Sequence, residues 1–209
     1  MSAQLPARRR ADRREVILGA AFDVFARRGF TQASVQEIAD AAGVAKPTLY
    51  NHFADKDELF RCAMTYTADA VTAANVAVTD RLRATGANLE AALVDVARRL
   101  LRVCCDDRSR ALRRLAQGQL TRFPDVLELV QERTSSRLAE ALADRIARLS
   151  LSGGLRRCDP AVAAEQFLAL LTAPMDSRSG LGTRRVPVTD VNAVADAAVD
   201  TFLRAYGVT

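Results

Sequence analysis

Apolar residues recur along this chain at helical spacing, and the two-residue alternation of a half-buried strand is nearly absent. Ile17, Ala20, Ala21, Val24 and Phe25 form one stripe of a first helix predicted from about 12 to 28, which Gly29 ends in the position of a left-handed C-cap. Ser34-Val35-Gln36-Glu37 reads as a capping box: the serine takes the N3 amide and the glutamate reaches back to the cap amide. It opens a two-turn helix with Val35, Ile38, Ala39 and Ala42 on one face, stopped by Gly43. A third short helix covers about 45 to 53, anchored by Leu49 and Phe53, with Pro47 in the first turn where it costs no hydrogen bond. Asp55 and Glu58 cap a long helix to about 85. Further helices are predicted over 89–105, 109–122 and 124–149. Another runs from Asp159-Pro160 to about 173, and the last covers 190–206, with Val191, Ala195, Ala198, Val199, Phe202 and Tyr206 on one face. Residues 174–187 read as a loop or a broken helix end. The sum is an all-α chain of about nine helices without an internal repeat.

Composition narrows the function class. The 209 residues are 49% hydrophobic and 26% charged, a globular balance, with 5% aromatics and no Trp. No apolar run reaches the roughly 18 to 20 residues of a membrane span, and the polar, basic start is not a secretory signal, so a cytoplasmic protein without a membrane partner is expected. Cys62, Cys104, Cys105 and Cys158 show no zinc spacing and fit small apolar fillers of a reduced protein; Cys104-Cys105 admits a redox or ligand role as the other reading. No metal or cofactor is implied. The single His52, with no nucleophile motif, phosphate loop or paired carboxylates, argues against an enzyme.

Charge is uneven. Residues 1–14 carry a net +4, an arm suited to nucleic acid, with residues 1–11 expected as a basic flexible segment. Residues 15–60 carry −3, so the first helices are no general basic patch. Of the 30 basic residues only two are lysines, Lys46 and Lys56, and both lie with His52 in one short stretch.

That stretch carries the chemistry. Two short helices joined by Ala42-Gly43-Val44 have the layout of a helix-turn-helix. The second helix would offer Ala45, Lys46, Pro47, Thr48, Tyr50, Asn51 and His52 to a major groove, with Leu49 and Phe53 turned inward. Thr48, Tyr50 and Lys56 suit phosphate, Lys46 and Asn51 suit base edges, and the amides at Ser34 and Val35 could clamp a phosphate. The competing reading is two short helices serving only as packing.

The quoted residues resemble the TetR family of bacterial repressors. The likeness runs from Ala20-Ala21-Phe22 and Gly29-Phe30 through Ser34–Ala39 and Ala42–Phe53 to Lys56-Asp57-Glu58-Leu59-Phe60. It implies a homodimer with a three-helix DNA-binding head at 12–56 and a ligand-binding and dimerisation body at 57–209. It also implies phosphate contacts at Thr48, Tyr50 and Lys56. Ala45 departs from the family, which very often has Ser there, and so lacks a side-chain cap worth roughly 1 kcal/mol.

The body resembles the AefR- and AcrR-like subgroup, through Phe123-Pro124 and Asp159-Pro160 ahead of Ala163-Ala164-Glu165-Gln166-Phe167. The resemblance implies a four-helix bundle between subunits, with Phe167, Leu170, Leu171, Ala195, Val199 and Phe202 as dimer contacts. Cys104, Phe123, Phe167 and Met175 are candidate lining for an effector pocket, with core packing as the other reading of each. Arg98, Arg99, Arg102, Arg113 and Arg114 read as exposed helix charge or as the reception for an anionic ligand. The expected function is a ligand-responsive repressor that binds a pseudo-palindromic double-stranded DNA operator as a homodimer. A largely apolar small-molecule effector would release it, and the long helix from Asp55 would act as the lever. A DNA-binding activator of the same fold and a helical protein-interaction module are the alternatives.

Overall fold

In the computed structural model each helix start that the sequence marks with a capping side chain is a helix start. The structure describes residues 4–84, 88–180 and 184–208, with side chains for 12–82 and for the two later stretches. The helices are α1 (Gln4–Gln32), α2 (Val35–Ala42), α3 (Lys46–Tyr50), α4 (Lys56–Thr79), α5 (Leu89–Cys105), α6 (Asp107–Gly118), α7 (Pro124–Gln131), α8 (Arg137–Leu151), α9 (Pro160–Ser179) and α10 (Val188–Tyr206). A five-residue π turn, Glu132–Ser136, joins α7 to α8, so the single helix predicted over 124–149 is one rod with a widened turn inside it. A 3₁₀ turn, Asp80–Ala84, finishes α4.

Several boundaries differ from expectation. The first helix begins at Gln4, so the basic stretch expected as a flexible arm has helical backbone from there. Leu, Ala and Arg are strong helix formers, and Pro6 falls in the first turn where it is tolerated. Gly29 breaks the helix at φ 74, ψ 165, a backbone conformation that suits glycine. Helix α9 does not stop before Pro174 but runs through it to Ser179. Pro174 has no amide proton for the Leu170 carbonyl, a local loss. Burial of Met175 and Ser179 one turn later holds the helix together.

The chain forms two compact units. The first holds the residues up to 70 together with 115–130; the second holds 71–114 and 131 onward. The sequence reading divides the chain after Lys56; α4 carries residues of both units. In the first unit, Ile17, Ala21, Val24 and Phe25 meet Ile38, Ala39, Leu49, Phe53 and Phe60 in the core. Phe25, Phe30, Phe60 and Phe123 form a ring cluster with centroids 5.0 to 5.9 Å apart. Such pairs add about 0.5–1.5 kcal/mol each beyond area burial.

The second unit packs α5, α8, α9 and α10 around Leu93, Val96, Leu100, Leu142, Ile146, Phe167, Leu171, Ala195, Val199 and Phe202. Asp159 caps α9 by accepting from the Ala161 and Val162 amides at 2.9 and 3.2 Å. One charge is buried here: Arg145 donates to Asp80 at 2.8 Å and Asp144 at 2.6 Å.

Candidate nucleic-acid interface

The turn between α2 and α3 is set by two local devices. Ser34 Oγ accepts the Glu37 amide at 3.0 Å, the expected N-cap. The reciprocal half of the capping box is absent: Glu37 Oε1 instead accepts from Arg28 Nε at 3.2 Å, so the carboxylate ties α2 to the end of α1. At the other end Gly43 sits at φ 65, ψ 35, and its amide and that of Val44 close on Asp40 and Ala39. A left-handed residue there turns the chain sharply enough to start α3 three residues later.

Helix α3 is shorter than expected, five residues where nine were predicted. Ala45 is its N-cap and makes no side-chain cap bond, as the missing hydroxyl predicts. Asn51 is the C-cap, and His52 and Phe53 follow in a turn whose amides still close on the Leu49 carbonyl at 2.9 and 3.0 Å. Asn51 and His52 therefore leave from the helix end rather than its side.

The division of faces is the expected one. Leu49 and Phe53 are each 1% exposed, whereas Tyr50 is 45% exposed. Ser34, Ala45, Lys46, Pro47 and Asn51 are open, and Val35, Thr48, His52 and Lys56 are half-buried. An amphipathic five-residue helix thus presents one ammonium and two hydroxyls outward, a donor set for phosphate oxygens and base acceptors. Lys56 is turned inward more than expected. Its Nζ donates to the Thr31 carbonyl at 3.3 Å and lies 4.6 Å from the Phe30 ring centroid. Partial burial, and then repulsion by Arg122, lower its pKa.

Sequence reasoning missed two arginines that brace this unit. Arg14 lies over the Phe53 ring at 5.2 Å and approaches Cys62 Sγ at 3.5 Å. Arg122 covers Phe30 at 4.7 Å and pairs with Asp57 at 3.0 Å. Each joins segments distant in sequence, so no local pattern announces it.

Residues 17–63 match the family model for bacterial regulatory proteins of the tetR family, and residues 91–208 match the AefR-like transcriptional repressor C-terminal domain. The chain belongs to the TetR family. A TetR-family regulator from Mesorhizobium loti MAFF303099 superposes with a TM-score of 0.89 at 32% identity, covering 96% of this chain and 99% of that one. The flavonoid-responsive regulator FrrA superposes at 0.68 with 26% identity, over 94% of this chain and 98% of that one. The transcriptional activator FasR of Mycolicibacterium smegmatis is 53% identical over 51 residues, which are 24% of this chain and 23% of that protein. The chain thus matches the curated relatives over about a quarter of their length, the head. TetR-family members are non-enzymatic DNA-binding transcription regulators, and that is what this chain is. No helix among the described residues is long and apolar enough to cross a membrane.

The body residues of this TetR-family chain distribute differently from expectation. Phe123 does not lie with the other pocket candidates; it is in the ring cluster of the first unit. Phe167 packs edge-on against Phe202 at 4.9 Å inside the second core. Cys104 and Met175 do come together, but in a narrow polar crevice with Arg110, Arg113 and Asp176. Arg98 is held by Asp196 in a two-pronged pair at 2.7 and 2.9 Å, and Arg99 by Asp95 at 2.8 Å, so both are surface ion pairs.

Of the dimer candidates, Phe167, Leu171, Ala195 and Val199 are at most 1% exposed and fill the subunit's own core. The outward face of the last two helices is a different set. Gln166, Ala169, Leu170, Ala173 and Pro174 of α9 face Thr201, Phe202, Ala205 and Tyr206 of α10 across an open apolar groove of about 460 Å³. Only Leu170 and Phe202 of the candidates border it. Choosing the largest hydrophobics selects the inner face; the outer one is built from alanines.

Two polar features of the body were not foreseen. Thr72, Asn75 and Thr79 lie buried on one face of α4. Thr72 Oγ1 donates to the Arg133 carbonyl at 2.6 Å, within the π turn. Asn75 Oδ1, 93% shielded, has no hydrogen-bond partner among the described residues.

Proposed function

We propose that this TetR-family regulator is an effector-released repressor that binds a pseudo-palindromic operator as a homodimer in the cytoplasm. The observation that carries the DNA reading is the two-faced α3: Leu49, with Phe53 just beyond the helix, is sealed in the core, while Lys46 and Tyr50 are open and Thr48 is half-exposed on the other side. Thr48, Tyr50 and Lys56 hold phosphate oxygens, and the amides of Ser34 and Val35 add a contact at the start of α2. Lys46, with Ala45 and Pro47 close to the bases and Asn51 and His52 at the helix end, reads the sequence. Because residues 15–60 are net negative, affinity depends on these few groups and on the arginines before residue 15.

The α9–α10 groove supports the dimer: two copies related by a two-fold axis bury it against each other, and its alanines allow close helix approach. The effector sits in the body beside α4, where the unpartnered Asn75 carbonyl oxygen favours a largely apolar molecule bearing an O–H or N–H donor. The name of FrrA, a flavonoid-responsive regulator, is in keeping with a hydroxyl-bearing effector. The AefR-like body favours repression; the likeness to FasR, an activator, extends over 51 residues, about a quarter of either chain, and does not decide the sign.

The test is selection of bound genomic fragments with the purified chain, followed by titration on the recovered operator. Binding by a dimer, with affinity falling steeply as salt rises, is the expected result. Affinity unchanged by Tyr50→Ala with Lys56→Ala would sink the DNA assignment, and increased transcription from the recovered promoter would convert the reading to an activator.

A further inference from the structure

At the end of α5 the chain places two adjacent thiols under an arginine. Arg113, on the first half of α6, grips Cys104 at two points: one nitrogen donates to the carbonyl at 2.9 Å and another approaches Sγ at 3.3 Å. The carbonyl is one of those left without a partner at a helix C-terminus, so the guanidinium is fixed by the helix end and aimed at the sulfur. Cys104 and Cys105 are both free and half-buried, and they share a crevice with Arg110, Arg113 and Asp176. Its volume is about 10 Å³, room for a single water-sized molecule. An organic effector does not fit there, and Cys104 is not fully buried, so its sulfur is a target for a small reagent rather than the wall of a binding pocket.

We propose that Cys104 is a peroxide-oxidation site, a thiolate held by Arg113 that hydrogen peroxide converts to a sulfenic acid. The sulfur lone pair attacks one peroxide oxygen, an S–O bond forms as the O–O bond breaks, sulfur is oxidised by two electrons, and the other oxygen leaves as hydroxide, which carries off the thiolate's charge and is protonated to water by a buffer acid. The hydrogen bond from the Cys105 thiol, and then Arg113, pull the Cys104 thiol below its ordinary value against the opposing cost of burial. Asp176 on α9 works weakly the other way. Cys105 is pushed upward by Cys104 and by burial, so it remains a protonated donor.

Cys105 is not a disulfide partner. Both residues belong to α5, where the side chains of neighbours point about 100° apart, and their Cα separation of about 3.8 Å is below the usual disulfide range of roughly 4.4–6.8 Å, so closing the bond would require the helix end to unwind. The expected product is therefore a sulfenic acid. Cys62 supplies an internal reference: it too lies near an arginine, Arg14, yet burial pushes its thiol up.

The site is independent of the DNA reading, and so is its test. The reduced full-length chain is treated with limiting iodoacetamide at about pH 6.5 and each cysteine is followed by peptide mass spectrometry. Cys104 is expected to react about tenfold faster than Cys62, because an ordinary thiol is mostly protonated there. With hydrogen peroxide and dimedone, the Cys104 peptide is expected to carry the sulfenic acid adduct. Arg113→Gln slows Cys104 at least threefold or so, Arg113→Lys restores part of the rate, and Cys62, unchanged in both, reports an intact fold. Equal rates at Cys104 and Cys62, or loss of two hydrogens to a Cys104–Cys105 disulfide in place of the adduct, would overturn the proposal. The wild-type arm decides even if a variant does not fold.

Discussion

Asn75→Leu should make this protein more stable, although it alters the buried face of its longest interior-spanning helix. Asn75 is 7% exposed and its side-chain oxygen has no partner among the described residues. A buried amide oxygen left without a hydrogen bond costs about 1–3 kcal/mol, and leucine, with the same branched side-chain skeleton but bulkier tips, removes that cost at the expense of some repacking. Allowing for imperfect packing, the net gain is about 1–2 kcal/mol. For a chain of 209 residues each kcal/mol moves the midpoint by about 2–4 °C, so the expected rise is roughly 2–8 °C. Thr72, one turn earlier, supplies the contrast. Its hydroxyl does have a partner, the Arg133 carbonyl at 2.6 Å. Thr72→Val should therefore lower stability by about 1 kcal/mol, since it removes that hydrogen bond. Thermal unfolding at one fixed protein concentration, because dimerisation links the midpoint to concentration, measures both. A fall in the midpoint for Asn75→Leu, parallel to that of Thr72→Val, would refute the reasoning by showing that Asn75 is satisfied. If the proposed effector site is correct, the same Asn75→Leu chain binds operator normally but responds weakly to effector, the usual exchange of stability against function.

Ala45→Ser should supply the missing cap of α3 and raise stability by about 0.5–1 kcal/mol, read as a midpoint shift in the same assay. Lys56→Ala should weaken operator binding and reduce the slope of log affinity against log salt by about one, measured by titration at several salt concentrations. Arg145→Ala should cost about 2–3 kcal/mol, because it removes the charge-assisted hydrogen bonds to Asp80 and Asp144 while both carboxylates stay partly solvated, and chemical denaturation will show it as a lowered midpoint. Ala173→Arg, a charge at the centre of the α9–α10 groove, should give a monomer by light scattering with unchanged helix content by circular dichroism.

The head was legible because its determinants are local. Ser34 and Glu37, Gly43, Leu49 and Phe53 act within one or two turns of themselves, and each does in the structure roughly what its spacing predicts. Even there Glu37 found a better partner in Arg28 than in its own cap amide, a choice that depends on where α1 ends. The body was legible as helices but not as faces. Phe123 reads from the sequence as pocket lining or as core; its partners are Phe30 and Phe60, more than sixty residues back in sequence, which no local pattern indicates. Periodicity finds the apolar side of α9 and α10; it does not tell an inner face of Phe167 and Leu171 from an outer one of Ala169 and Ala173. The π turn and the continuation of α9 through Pro174 carry no local signature at all, since long-range burial decides them. The grip of Arg113 on Cys104 spans a break between two helices, so neither helix's pattern shows it.

The chain has three tyrosines and no tryptophan. Of the three, Tyr206 is buried beside Phe202, Tyr66 is half-buried, and Tyr50 alone stands well exposed, on the face of α3 proposed to meet DNA. Ultraviolet emission from the unlabelled protein is therefore tyrosine emission, about a third of it from the recognition helix itself. Operator binding can be followed as quenching of a natural reporter at the contact. A tryptophan placed anywhere in the body would then be a second colour, able to report effector arrival in the same cuvette.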